Sequence, residues 1–134
     1  MTATGILPCQ AIEALIAGGA IKADEPFAEG QVQPASLDLR LGPKCWRVRA
    51  SFLPGCGRKV ADRIAHVAMH QIDLSAGAVL EKGCVYLVEV AERLALPAGV
   101  SARANPKSST GRVDVFVRLL TDHGEAFDDV AAGY

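Results

Sequence analysis

Aromatic side chains are scarce in this sequence: they make up 5% of the 134 residues, whereas hydrophobic residues as a group make up 50%. Val, Leu, Ile and Ala must therefore fill the core. A chain of this length fits one domain and can bury about two-thirds of the surface that its unfolded form exposes. The high hydrophobic content and the balanced charge exclude an intrinsically disordered chain.

A basic surplus and long apolar runs are also lacking. The net charge of −1 argues against a nucleic-acid or membrane-surface binder, although a local group of Lys and Arg can still serve a small anion. A membrane span needs about 20 apolar residues, and the longest stretch, 11–21, is interrupted by Glu13. The start, Met1 to Gly5, has no basic residue of the kind that opens a signal peptide. We therefore expect a cytoplasmic protein without nucleic-acid or membrane partners.

The usual zinc-binding patterns are missing. The four cysteines form no CxxC pair, and we expect them to be reduced thiols. His66 and His70 are four residues apart, but Val67 stands where an HExxH site has its glutamate. The HxE and PCxxC patterns of zinc deaminases are absent as well. These observations favour surface or partly buried histidines and predict neither zinc nor any metal-ligating residue.

Short strands separated by turns dominate the pattern. Helices are predicted after Pro8, with an end at Gly18-Gly19, and over 60–67, where apolar residues recur at helical spacing. Residues 24–34 are predicted to form a loop. Alternation or short apolar runs predict strands, with a turn at Gly42-Pro43, over 36–41, 45–52, 78–80, 85–90, 100–104 and 113–121. The pattern is typical of an all-β barrel or sandwich with short helices, in one domain over 1–134.

The densest polar stretch runs from Arg103 to Arg112 and lies between two predicted strands. It contains three cations, three hydroxyls, an amide, a proline and a glycine. Hydroxyls and backbone N–H groups donate hydrogen bonds to phosphate, and Lys and Arg balance its charge. A helical turn begun by Ser-Ser-Thr-Gly would also direct free N–H groups at an anion. A solvated polar turn would have the same composition, and the GxxxxGK[ST] pattern of a P-loop is absent.

Two motifs give the sequence a specific resemblance. Residues 105–112, Asn-Pro-Lys-Ser-Ser-Thr-Gly-Arg, resemble the second motif of the dUTPase superfamily, P-[RK]-S-S; the SSxxR form is similar to dCTP deaminase. Residues 33–42, Gln-Pro-Ala-Ser-Leu-Asp-Leu-Arg-Leu-Gly, resemble the first motif of that family, QPxSxDxRLG. The segments 5–8 and 80–83 match as well. The likeness covers nearly the whole chain and is nearest to the N-terminal portion of the long bacterial form, in which two related halves make one polypeptide.

The resemblance implies a β-clip barrel, a homotrimer with nucleotide sites between subunits, and Mg²⁺ bound with the triphosphate. It also implies hydrolytic deamination of dCTP to dUTP and ammonia. Ser108 and Arg112 would hold and polarise the reacting base and water as catalytic residues. Substrate binding would involve Lys107, Ser108, Ser109, Thr110, Gly111 and Arg112.

The resemblance also places the family's general base, a glutamate, a few residues after a Gly-aromatic pair. Gly133-Tyr134 looks like that pair and ends the sequence, so the resemblance implies a domain truncated at its C-terminus, which as an isolated chain lacks that glutamate. The nearby carboxylates are predicted to be parts of a solvated loop: Asp122, Glu125, Asp128 and Asp129. Asp38 has two interpretations, a structural one on the polar face of its strand, which we favour, and a role in organising the nucleotide site. Arg40 is expected to pair with a neighbouring carboxylate.

Two other functions share the fold implied by the resemblance. One is a dUTP diphosphatase, which the SSxxR form disfavours. The other is a non-catalytic nucleotide-binding or assembly domain, which the missing glutamate favours for the chain as it stands.

Overall fold

The computed structural model describes residues 4–134. Residues 1–3, which belong to the predicted domain and to the N-terminal segment predicted not to be a signal peptide, lie outside the described residues. Within that range, short strands outnumber helices. The helices are α1 (Cys9–Ala17), α2 (Val60–Val67) and α3 (Ser108–Arg112). The strands are β1 (Ile21–Ala23), β2 (Val32–Gln33), β3 (Ser36–Leu37), β4 (Leu41–Val48), β5 (Ala68–Asp73), β6 (Val85–Val90), β7 (Glu92–Leu94), β8 (Ala102–Arg103) and β9 (Asp129–Val130).

All strand pairs are antiparallel, and they form four small sheets within residues 4–134. β4 is the centre of the three-stranded sheet, between β5 and β6. The other sheets pair β1 with β7, β2 with β3, and β8 with β9. The last pair joins the strand before the polar stretch to the end of the chain, because Ala102 lies opposite Val130 and Arg103 opposite Asp129.

The main core lies between α1 and the short strands, away from the three-stranded sheet. Its buried members are Ile12, Ile21, Leu96 and Val130. Aliphatic residues dominate it, as the scarcity of aromatics predicts; within residues 4–134, Phe27 and Tyr134 are the aromatic residues packed at its margin. Both predicted helices are confirmed: α1 begins after Pro8 and ends at Ala17, directly before Gly18, and α2 spans 60–67.

Several predicted strands differ from the observed ones. The predicted strand 36–41 is paired at 36–37, in β3, and at Leu41, the first residue of β4, whereas 38–40 lie in no strand. β2 lies inside the predicted loop 24–34. Gly42-Pro43 does not end a strand, because an irregularity between Leu41 and Cys45 accommodates both residues within β4. β4 then ends at Val48 rather than continuing to Phe52, residues 78–80 form no strand, and 85–90 is confirmed.

The prediction of a strand over 113–121 was wrong. Its apolar residues alternate, but no strand pairs with this segment within residues 4–134, and Val113, Val115 and Val117 are exposed. Asp114 has a φ of 60°, in the left-handed region, which interrupts an extended path. The alternation therefore does not reflect a buried sheet face in this chain.

Gly42 is expected to be sensitive to a single added methyl group. It is buried, and a Cβ at this position would lie 3.0 Å from the backbone oxygen of Glu89 on β6. Since backbone must shift to make room, Gly42→Ala should lower the free energy of unfolding by about 1–3 kcal/mol, measured by urea denaturation. Gly99→Ala is the control, because nothing lies within 4 Å of its Cβ position; equal loss in both variants would contradict the prediction.

Candidate active site

The polar stretch folds around α3, a single helical turn that starts after Lys107. Lys107 is extended, with φ −63° and ψ 143°, and its carbonyl accepts hydrogen bonds from the N–H groups of Thr110 and Gly111 at 3.0 and 3.3 Å. The N–H groups of Ser108 and Ser109 make no hydrogen bond within residues 4–134. The predicted Ser-Ser-Thr-Gly helical turn is thus confirmed, with two free donors at its start.

The side chains of this turn are open to solvent. Of the six predicted substrate-binding residues, Thr110 is half-buried and the other five are exposed: Lys107, Ser108, Ser109, Gly111 and Arg112. Arg112 lies in the last turn of α3 and forms no ion pair within the described residues. The group therefore forms one side of a polar surface rather than an enclosed pocket.

One contact joins the two sequence motifs. The Nζ of Lys107 lies 2.5 Å from Oδ2 of Asp38, although the two residues are 69 positions apart in the chain. The Asp38 side chain is 27% exposed and that of Lys107 64% exposed. Asp38 is therefore more than a polar residue on a strand face: it leaves β3 and contacts the predicted phosphate-binding turn.

A buried polar cluster holds the segment 38–40. The carboxylate of Glu92 accepts hydrogen bonds from Arg40 N and Arg40 Nε, at 2.9 and 2.8 Å. It also accepts one from Gln31 Nε2 at 2.7 Å. Gln31 in turn binds both backbone polar groups of Asp38. Its Nε2 donates to Asp38 O at 2.9 Å, and its backbone carbonyl oxygen accepts from Asp38 N at 3.0 Å. Arg40 thus has the carboxylate partner that the sequence predicted.

Glu92 is the most buried charged group of this cluster, with a side chain that is 0% exposed. Burial acts to raise the pKa of Glu92, but the hydrogen bonds from Arg40 and Gln31 together outweigh it, so that the pKa lies below its ordinary value. The carboxylate is ionised at neutral pH and is fully engaged by its donors. Such a group serves structure rather than proton transfer.

The carboxylates near the end of the chain are not all parts of a solvated loop. Asp128 Oδ2 lies 2.8 Å from Arg118 Nε, and its Oδ1 accepts a hydrogen bond from Leu119 N at 2.7 Å. Asp122 Oδ1 accepts one from Val60 N, at the start of α2, at 2.7 Å. Of these four carboxylates, Glu125 alone is exposed. Asp129 Oδ1 lies 3.6 Å from Arg103 Nη2. The interpretation as solvated residues was thus wrong for Asp122 and Asp128, because both satisfy backbone donors.

Other candidates carry less chemistry. His66, His70 and His123 are exposed, as predicted for surface histidines. No three His, Cys, Asp or Glu side chains are grouped as for a metal ion within residues 4–134, and no helix in that range has the length and hydrophobicity of a membrane span. All four cysteines are free thiols. Cys84 is half-buried and accepts a hydrogen bond from Arg47 Nη2 at 3.0 Å.

Comparison with known proteins decides the family. The model of the 2'-deoxycytidine 5'-triphosphate deaminase N-terminal domain matches residues 3–134. The chain belongs to the dCTP deaminase family. The resemblance seen in its two motifs, including the assignment to the N-terminal portion, is confirmed.

Two members illustrate the relationship. A dCTP deaminase from Agrobacterium tumefaciens, known from its crystal structure, is 58% identical and superposes with a TM-score of 0.94 over 98% of this chain and 39% of its own. A dUMP-forming dCTP deaminase from Coprothermobacter proteolyticus is 32% identical over 99 residues, which are 74% of this chain and 53% of that protein. The chain thus spans about half or less of these relatives. The mainly-β, dUTPase-like fold is confirmed by the structural match.

Sequence reasoning missed the two residues that organise the first motif. Gln31 lies in a predicted loop, and Glu92 is one of several glutamates in an unremarkable context, yet both are buried. Their only signal was the charge of Arg40, which had to find a partner. The pairing of Asp38 with Lys107 had no signal in either motif alone.

Proposed function

We propose that this chain provides nucleotide-binding and polarising groups for hydrolytic deamination of dCTP to dUTP and ammonia. The supporting observation is the contact between Lys107 and Asp38, which brings the SSxxR turn and the QPxSxDxRLG segment together on one surface. Both segments lie within residues 3–134, which the family model matches.

The proposed binding roles follow from exposure and donor chemistry. The free N–H groups at the start of α3, the hydroxyls of Ser108, Ser109 and Thr110, and the Lys107 ammonium are donors suited to phosphate oxygens. Gly111, with no side chain, leaves room for close approach of the ligand. Mg²⁺ would enter with the triphosphate, whose oxygens supply ligands that the described residues do not offer as a cluster.

The proposed catalytic roles fall to Ser108 and Arg112. Water attacks C4 of cytosine, and the ring nitrogen and departing amine gain electron density as the bond to water forms. A fixed guanidinium and a hydroxyl at that position stabilise this charge more in the transition state than in the ground state. We assign the general base to neither Asp122 nor Asp128, because both carboxylates already accept hydrogen bonds from backbone N–H groups.

Chromatography of the nucleotides after incubation with dCTP and Mg²⁺ tests the proposal. The full natural polypeptide should form dUTP, and the 134-residue chain alone shows whether these residues suffice. Unchanged dCTP with both, despite binding, would overturn deamination in favour of a non-catalytic nucleotide-binding domain.

The relative from Coprothermobacter proteolyticus supports a second candidate, since it is described as dUMP-forming. The same surface would then hold dUTP for a further attack of water on the triphosphate, giving dUMP and pyrophosphate. The same chromatogram distinguishes the two functions: dUMP accumulating from dCTP indicates coupled chemistry, whereas dUTP accumulating alone indicates deamination only.

We also propose that the protein acts as a homo-oligomer, a homotrimer by resemblance, with dCTP and dUTP as its small-molecule partners. The accessible surface is 9403 Å², about 40% above the roughly 6,700 Å² of a compact monomer of this mass. Four exposed apolar residues follow α3 directly: Val113, Val115, Phe116 and Val117. A hydrophobic run of this kind beside a polar site is typical of a protein interface. A cytoplasmic location is part of the same proposal.

Phe116→Asp is expected to shift the oligomer toward smaller species, because a carboxylate in an apolar interface loses solvation. The Arg118 guanidinium, 5.8 Å from the Phe116 ring, is already paired with Asp128. Phe116 is 84% exposed within one chain, so the substitution should not affect folding. Sedimentation velocity at several concentrations measures the shift. Val79→Asp is the matched control, since Val79 is 88% exposed but lies outside the run; dissociation of that variant alone would contradict the assignment.

A further inference from the structure

We infer that Gln31 and Glu92 are positioning residues that set the location of the Lys107 ammonium through Asp38. Neither touches Lys107. The importance of this position for dCTP rests on the proposed function, whereas the positioning itself does not.

The first step of the argument is the geometry of the segment 38–40. Asp38 and Leu39 lie past the end of β3, so no strand ladder fixes them. Asp38 N and Asp38 O are instead bound by Gln31, and Arg40 N is bound by Glu92. Backbone groups that lie outside a ladder need such partners to remain in one conformation.

The second step is burial. Gln31 is 5% exposed and Glu92 4% exposed, and they are joined by a 2.7 Å hydrogen bond. Gln31 Oε1 also accepts a hydrogen bond from Ala28 N at 3.0 Å, which ties the cluster to the preceding loop. A buried network whose donors and acceptors are paired has essentially one arrangement. The direction of the Asp38 carboxylate is therefore determined from beneath the surface.

The third step is the contrast in mobility between the two ends. Lys107 has four rotatable side-chain bonds and a 64% exposed side chain, so on its own it would sample many positions. The Asp38 carboxylate is 27% exposed and belongs to a fixed segment. The ion pair consequently restricts the position of the exposed Lys107 ammonium, because the Asp38 carboxylate is held by the buried cluster.

Acylation of lysines, followed by mass spectrometry of the peptides, tests this without any catalytic readout. A brief pulse of a water-soluble acetylating ester modifies free amines, and exposed Lys82 serves as an internal reference. Asp38→Asn should raise the labelling of Lys107 relative to Lys82 by about two- to five-fold, the range that a partly exposed ion pair sustains. Glu92→Gln should raise it in the same direction, because one of the two acceptor oxygens becomes an NH₂ group facing donors.

Two further variants separate positioning from general destabilisation. Gln31→Met keeps the Arg40–Glu92 pair and the bond from Asp38 N to the backbone carbonyl of residue 31. It removes the side-chain bonds of Gln31 to Asp38 O, Glu92 and Ala28 N, so it should also increase Lys107 labelling. Glu89→Gln is the matched control: Glu89 is a glutamate on β6, 3.6 Å from Lys44 and outside the cluster. It should leave the Lys107 ratio unchanged. Because unfolding would itself release Lys107 from Asp38, circular dichroism must show that each variant is folded before its labelling ratio is compared.

A double variant completes the test. If Glu92 acts through Asp38, adding Glu92→Gln to Asp38→Asn should produce no further rise in Lys107 labelling. The inference is overturned if Asp38→Asn raises the ratio while Glu92→Gln and Gln31→Met do not, or if Asp38→Asn has no effect. Either result stands apart from the deaminase assay, since a failed assay with the expected labelling would refute only the proposed function.

Discussion

Replacing Arg112 by alanine is expected to lower kcat/KM for dCTP by about 10²–10³ in the full natural polypeptide, with little change in stability. The guanidinium is exposed and forms no ion pair within residues 4–134, so its removal breaks no contact of the fold. If it stabilises charge that develops as water attacks the base, the loss appears in kcat and not only in KM.

Ser108→Ala should follow the same pattern, because its hydroxyl lies in the same exposed turn. Arg103→Ala is the matched control: it is an exposed arginine of β8, 3.6 Å from Asp129, to which no catalytic role is assigned. Steady-state kinetics of dUTP formation, with circular dichroism to verify folding, measures all three variants. Wild-type rates for both Ser108→Ala and Arg112→Ala would refute the site assignment.

The second large effect concerns stability. Arg40→Met should lower the free energy of unfolding by about 2–4 kcal/mol at pH 7, because it leaves the buried Glu92 carboxylate without its cation. Arg93→Met is the control, since Arg93 and its partner Asp24 are 71% and 80% exposed, and an exposed pair contributes about 0–1 kcal/mol. Urea denaturation measures both. Equal losses would show that burial does not distinguish the two pairs.

The pH dependence of this difference has a definite sign. In the wild-type protein the pKa of Glu92 is lowered, so the stability it contributes is present above about pH 4.3, its unfolded value, and is lost as pH falls through the folded value. In Arg40→Met, we expect burial to dominate and the pKa of Glu92 to rise. The variant is then penalised most at neutral pH, and the gap to wild type should narrow between pH 7 and pH 3. A constant gap would contradict this account.

Much of the fold follows from local patterns, and the failures have physical causes. α1, α2 and β6 were predicted well because periodicity and nearby breakers determine them. The segment 113–121 alternates like a strand but has no strand beside it within residues 4–134, and alternation alone does not supply a partner. Gly42-Pro43 resembles a turn, yet long-range pairing with β6 and a local irregularity keep it in β4.

The candidate site shows the same division. Its exposed groups, from Lys107 to Arg112, could be found because they are contiguous and chemically unusual for a turn. Their support could not, because Gln31, Asp38 and Glu92 are separated by up to 61 positions and meet only in the folded chain. Burial of Glu92 also runs against the usual preference of glutamate for the surface.

The cysteines are graded in exposure, from exposed Cys56 to Cys45, which is 0% exposed at the centre of β4. Burial also raises the pKa of the Cys45 thiol, which reduces the thiolate that reacts with disulfide reagents. Thiol exchange at Cys45 therefore requires the three-stranded sheet to open, whereas Cys56 reacts from the native state. The rate at which Cys45 reacts with a colorimetric thiol reagent thus reports how often this sheet opens, without any added label.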